Sequence, residues 1–397
     1  MIIRARPKYL KDIYFCNLTD NFTIGENEFY FNSGRAALKF YLTYLSKQKS
    51  KKISIAMQAF NCSVVLDSAL ESGCNIELLD IKLDDFSVSF TSVNKILQTK
   101  EIDILLLTHY QGIPNNEYKD IIALCNQYNV IVIEDLAQTI GSKINDIEVG
   151  TLGDISLYSY AFDKPFTCFN GGKLKFNFED KDFIAKYQLL DTESDKDSNL
   201  DIKTLHFLYK YSSENYFEKE IDNINLIQFL IKIGISKEMI YCILKYKLVH
   251  VCFRILFRLK KIIKKDKTTE IIIKKLNDKK ILLINKQEEN YIYDGSNVLF
   301  LLKLCKQYKL KAIMSNSSIR WNRFSVLDEE QNLKQYLLEK KIQVGNFNWP
   351  NTLDVIYNNV FNINIFESLK NSNYVSKNIL NIPVWSSRIK EVINNDK

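Results

Sequence analysis

The stretch from about residue 32 to 178 most constrains the fold, because it alternates strand-like and helix-like pieces in close succession. Two of its strands are nearly all aliphatic: residues 102–108, and Val130-Ile-Val-Ile133 running into Glu134-Asp135. A strand without polar alternation is apolar on both faces, which happens when helices cover a sheet from either side. Shorter strands are predicted at 53–56, 76–79, 155–158 and 172–176. Helical patterns run over 33–45, over 64–72 with Gly73 as C-terminal cap, and over 118–127. This βαβ alternation predicts an open, mainly parallel α/β sheet with helices on both faces. Ligands of such sheets gather beyond the carboxyl ends of the strands. His109, Asp135 and Ser159 fall there, although an aspartate after a strand is also a common helix cap.

After residue 180 the character changes. Between 181 and 289 the only glycine is Gly234, and the pattern is helical and lysine-rich. The expected organisation is a large α/β domain over 1–180, a divergent helical region over 181–289, and a small C-terminal α/β domain over 290–397. In the last, a strand is predicted at 319–326 and a helix at 330–340. A chain of 397 residues is long enough for two or three such units.

The net charge of +7 is modest and local, much of it between Lys245 and Lys265. With no helix-turn-helix, zinc-finger or RNP pattern, a nucleic-acid partner is not expected. Over 239–265 a helical projection puts Lys247, Arg254, Arg258, Lys261 and Lys265 on one stripe, opposite Leu244, Leu248, Ile255 and Leu259. That pattern suits a helix packing its apolar face on the body or a second subunit, with a helix lying on an anionic membrane surface as the alternative. Eight cysteines without a CxxC pair, no signal peptide and no run of ~18 apolar residues point to a cytoplasmic protein, possible contact with the inner membrane face included. Three scattered histidines suggest no metal site.

The residues that carry chemistry concentrate between 130 and 172. Ile133-Glu-Asp-Leu-Ala-Gln-Thr-Ile-Gly141 is followed by Gly150-Thr-Leu-Gly-Asp154, then Ser159-Tyr-Ala-Phe-Asp-Lys164, then Asn170-Gly171-Gly172. This block resembles the DegT/DnrJ/EryC1/StrS family of sugar aminotransferases, whose pattern is E-D-A-A-Q, G-T-x-G-D and S-F-x-x-x-K, with paired glycines seven residues later. The spacings match without a gap. Ser33-Gly-Arg-Ala-Ala-Leu38 is similar to the family's S-G-T-A-A-L, Tyr110-Gln-Gly112 to its Y-G turn, and Gly345-Asn-Phe-Asn-Trp-Pro350 to a C-terminal segment. Arg35 stands where the family has threonine and Asn170 where many members have glutamate. No G-Y-N-x-R segment is present.

The resemblance implies a pyridoxal 5′-phosphate (PLP) enzyme of fold type I, acting as a homodimer. Lys164 would form the Schiff base, and Asp135 would keep the cofactor's ring nitrogen protonated. Gln138 would lie beside the ring. Ser159 and the backbone around Gly34 and Arg35, where a helix begins, would hold the phosphate. The family's ring-stacking aromatic aligns near Cys62, so Phe60, two residues away, is the expected substitute. Sugar dehydratases of the family carry histidine in place of the lysine, so Lys164 implies transamination. The expected substrates are a nucleotide-activated keto-sugar and an amino-acid donor such as glutamate. A different PLP reaction and a degenerate, membrane-associated scaffold are the competing readings.

Overall fold

The computed structural model describes residues 23–161, 164–214, 230–235, 240, 270–289, 293, 295–313, 317–340, 342, 344, 349, 351–357, 362–384 and 389. Apart from Ile240, the basic stripe at 239–265 lies outside them, as does the 345–350 segment apart from Trp349. No helix among the described residues is long and apolar enough to cross a membrane.

The strands of the first half are β1 (Glu28–Phe31), β2 (Ser54–Gln58), β3 (Asn75–Leu79), β4 (Ile104–Thr108), β5 (Ile131–Asp135), β6 (Lys143–Ile144), β7 (Ile147–Glu148), β8 (Ile155–Ser159) and β9 (Gly172–Phe176). Later come β10 (Ser317–Ser318), β11 (Phe324–Leu327), β12 (Ile363–Ile365) and β13 (Ile379–Ile382). One eight-stranded sheet has the order β1-β9-β8-β5-β4-β2-β3-β12. From β8 to β12 all neighbours are parallel, while β9 runs antiparallel to both β8 and β1. The expected open, mainly parallel sheet is therefore what forms. β1 and β12 extend it at its two edges, and β12 comes from the C-terminal stretch.

Helices cover both faces. On one lie α1 (Gly34–Lys49) and α2 (Ser63–Glu71), packed on Ile104, Leu106, Ile133, Ile155 and Leu157. On the other, α3 (Phe90–Thr99) and α4 (Tyr118–Gln127) pack on Leu105, Leu107 and Val132. Successive strand residues face opposite ways, so the doubly apolar runs supply both layers. α1 starts sharply because the Ser33 side chain accepts the Ala36 N–H at 3.1 Å. Its first turn lies hard against β9: a Cβ on Gly172 would come within 2.4 Å of the Gly34 nitrogen, so only glycine fits there.

Of the strand predicted at 319–326, only the second half forms one, and the two residues just before the predicted stretch form another. β10 pairs with β6, residues 320–322 run along the turn after β4, and β11 pairs with β13. Asn322 N–H donates to the Gln111 carbonyl at 2.9 Å, and the Arg320 carbonyl lies where a Cβ on Gly112 (φ +99°) would approach to 2.3 Å. One extended run thus serves three partners, which a single strand could not. Above this contact a second apolar core joins Phe60, Phe86 and Tyr110 to Trp321, Phe324, Trp349 and Leu380. The remaining helices are α5 (Lys181–Gln188), α6 (Asp195–Glu214), α7 (Asp278–Glu289), α8 (Ser296–Gln307), α9 (Asn332–Glu339), α10 (Leu353–Ile356) and α11 (Lys370–Asn378).

Candidate active site

Strand register decides which side chains meet at the carboxyl edge. Thr108 pairs across to Asp135, and Asp135 to Leu157. Because side chains alternate, Thr108, Asp135 and Ser159 share the face covered by α1, and Leu106, Ile133 and Leu157 fill the layer below them. Between these strand ends and the starts of α1 and α2 is a cavity of ≈ 270 Å³. Gly34, Arg35, Asp135, Gln138, Ser159 and Lys164 all line it, as does His109.

Each group reaches the cavity for a local reason. At the α1 start, Ser33 caps only Ala36 from its side chain, while its carbonyl accepts the Ala37 N–H at 3.0 Å. The Gly34 and Arg35 N–H groups belong to the first helical turn, which carries the positive end of the helix dipole. A Cβ on Gly34 would stand 3.3 Å from the Ser159 Cβ, so this turn and the Ser159 hydroxyl are immediate neighbours. The Arg35 side chain is exposed at the rim. Together, hydroxyl, helix start and guanidinium make an anion site.

Asp135 is only 5% exposed. Burial raises its carboxyl above the ordinary value, opposed by the Ala137 N–H (3.0 Å), the Lys164 charge, His109 and the Thr108 hydroxyl. Such a carboxylate favours a cationic hydrogen-bond donor in the cavity. Gln138 is also buried, and its Oε1 accepts the Gln111 N–H at 3.3 Å. Lys164 is half-buried, on a loop that begins where β8 ends, with its N–H donating to the Ala161 carbonyl at 3.0 Å.

Phe60 is not brought to the cavity wall. It is fully buried in the second core, with its ring edge-on to Trp349 at 5.0 Å and tilted against Tyr110 at 5.2 Å. Trp349 and Cys62 line the cavity instead. The chain after β2 turns so that position 62 faces the cavity, and the aromatic wall comes from a residue far along the chain from Phe60. Trp349 sits within a motif that the sequence marks, but only tertiary contact places it here.

His109, at the cavity wall, and Glu134, behind it, form a second hydrogen-bonded system. Asn115 N–H donates to His109 Nδ1 at 3.1 Å, so the proton sits on Nε2, which faces Glu134 Oε2 at 3.4 Å. Glu134 is fully buried and also accepts from Gly150 N–H (2.6 Å), Gly153 N–H (2.5 Å) and the Tyr118 hydroxyl (2.9 Å). Asp154 in turn accepts the Val132 N–H at 2.7 Å. The Gly150-Thr-Leu-Gly-Asp154 motif is thus a backbone cradle for a buried carboxylate, a function not evident from its sequence alone.

Residues 21–210 match the model of the DegT/DnrJ/EryC1/StrS aminotransferase family. Over 160 residues the chain is 28% identical to a UDP-4-amino-4,6-dideoxy-N-acetyl-beta-L-altrosamine transaminase of Campylobacter jejuni, covering 40% of this chain and 41% of that protein. Over 147 residues it is 24% identical to a GDP-perosamine synthase of Vibrio cholerae, covering 37% and 39%. The chain therefore aligns with about two fifths of the length of these relatives. Among solved structures, an E. coli GDP-4-keto-6-deoxy-D-mannose-3-dehydratase with bound hydrated PLP superposes with a TM-score of 0.59 at 13% identity, covering 97% of this chain and 90% of that one. A Helicobacter pylori aminotransferase involved in the biosynthesis of pseudoaminic acid gives 0.59 at 14% identity, covering 92% and 86%. The shared fold is the PLP-dependent transferase fold type I, as the motifs predicted.

Proposed function

We propose, from the premise that this chain belongs through residues 21–210 to the DegT/DnrJ/EryC1/StrS aminotransferase family, that it is a PLP-dependent aminotransferase. Its substrates on this reading are a nucleotide-activated keto-sugar and an amino-acid donor such as glutamate, and its product serves surface-glycan or amino-sugar biosynthesis. The observation that carries the proposal is the meeting of Asp135 and Lys164 in one cavity with an anion site opposite.

The cavity's donor set fits the cofactor. A pyridine nitrogen that carries a proton matches buried Asp135, a phosphate matches Ser159 and the α1 start, and an aldehyde matches the Lys164 amine. When bound, PLP supplies an electron sink for the bond-breaking step. This chain's residues do the rest. Asp135 holds the ring-nitrogen proton, because a buried carboxylate gains most by staying paired with a cation. Gln138, anchored by Gln111, closes the floor beside it. The Lys164 amine would be the base and acid that moves a proton at the donor's α-carbon. Trp349, backed by Phe60, bounds the cavity with an apolar wall that excludes water.

The resemblance further supports a cytoplasmic homodimer. The basic stripe at 239–265 supports peripheral contact with an anionic membrane face, and the composition break at 180 supports the division into 1–180, 181–289 and 290–397.

The test is the visible absorption spectrum of the protein with PLP, for wild type and Lys164→Ala, before and after glutamate. The expected result is an imine band in the wild type alone, bleached by glutamate. No band in the wild type overturns the proposal.

A further inference from the structure

Lys164 stands on a loop whose two ends are tied together. Tyr160 N–H donates to the Gly171 carbonyl at 2.9 Å, and Cys168 N–H to the Tyr160 carbonyl at 3.1 Å. α7, which lies outside the stretch that matches the family, ties this loop to the rest of the molecule. Gln287 of α7 is fully buried and clips one residue of the loop, Thr167, by both of its backbone groups. Its Oε1 accepts the Thr167 N–H at 3.0 Å, and its Nε2 donates to the Thr167 carbonyl at 2.8 Å and to the Leu283 carbonyl at 2.9 Å. Two turns earlier on the same face, Lys280 donates to the Asn170 carbonyl at 3.4 Å. Lys280 is itself fixed by Asp201 at 2.6 Å and Glu193 at 3.1 Å. Tyr160, at the loop's start, donates its hydroxyl to Glu288 at 3.1 Å.

The covalent path from the clip to the lysine is short and stiff. Between Lys164 and Thr167 stand only Pro165 and Phe166, both buried, and the proline ring fixes one of the few free dihedrals. A displacement of the Thr167 peptide is therefore passed to the Lys164 backbone instead of being absorbed. We infer that Gln287 is a positioning residue for Lys164: its carboxamide sets where the lysine amine stands over the cavity, so α7 completes the site that the strands begin. This rests on the reading of Lys164 as the cofactor lysine.

The experiment separates capture by Lys164 from binding in the cavity. Pyridoxamine 5′-phosphate cannot condense with an amine, so its affinity reports the cavity alone. With PLP, the Lys164 amine adds to the aldehyde carbon, the oxygen leaves as water, and borohydride then adds hydride to the C=N bond. Peptide mapping measures the rate at which Lys164 is trapped. In Gln287→Met, trapping is expected to slow about tenfold while pyridoxamine phosphate affinity stays within about twofold of wild type. Unchanged trapping, or a parallel loss of both, overturns the inference. A wild type that binds pyridoxamine phosphate but traps nothing at Lys164 overturns the cofactor-lysine reading and this inference with it. Should Gln287→Met fail to fold, hydrogen exchange on the wild type decides. A Thr167 amide exchanging as slowly as those of β8 supports the clip, and one exchanging at the rate of an open loop overturns it.

Discussion

The two faces of β5 end in neighbouring acids that are buried almost equally and treated in opposite ways. Glu134 points toward α4 and is met by two backbone N–H groups, a tyrosine hydroxyl and the His109 ring. Asp135 points toward α1, where its protein donors are fewer and the cavity opens beside it. A carboxylate whose donors all come from the protein is part of the fold. One that still favours a cationic donor is available to a ligand. Burial alone does not distinguish them; the count of donors does.

Breaking Asp135 should have the largest effect on activity. Asp135→Asn keeps the shape but removes the charge, and kcat should fall ~10²- to 10³-fold. The unliganded fold should not suffer. Burial raises the Asp135 carboxyl above its ordinary value, so its contribution to stability is fullest below the unfolded pKa and is lost as pH rises through the folded one. The midpoint of unfolding of Asp135→Asn relative to wild type should therefore climb as pH rises above the ordinary carboxylate range. A variant that is active but unstable would invert the comparison.

Breaking Glu134 should do the reverse. Glu134→Gln sets an amide N–H₂ against glycine N–H donors, at a cost of about 2–3 kcal/mol measured by denaturant unfolding. Covalent capture of PLP by the folded fraction should be preserved. Loss of that capture would show that Glu134 and His109 act on the cofactor side as well.

A smaller effect sharpens the question of the aromatic wall. Trp349→Leu should weaken PLP binding by roughly three- to tenfold, the order of an aromatic contact. Phe60→Leu should cost about 1 kcal/mol of stability and leave binding unchanged. Equal effects on binding would return Phe60 to the site.

Much of this site was legible because its chemistry is local. The aliphatic runs at 102–108 and 130–133 place two strand ends, and Lys164, Ser159 and the paired glycines follow within a fixed spacing. Phe60 was misplaced since two residues beyond a strand the chain turns, and the alternation that assigns faces no longer applies. The break in the strand predicted at 319–326 escaped the sequence for a similar reason: it answers to the Tyr110-Gln-Gly112 turn and to β13, not to its own pattern.

By itself, then, the sequence determined the sheet, its two apolar faces and the residue types standing at its carboxyl edge, because strand periodicity and motif spacing are properties of a short stretch. Only the tertiary structure decided which acid is spent inside the protein, which aromatic walls the cavity and what steadies the lysine loop. Those depend on contacts between residues far apart in the chain, such as Thr167 with Gln287 and Phe60 with Trp349, which no local pattern encodes.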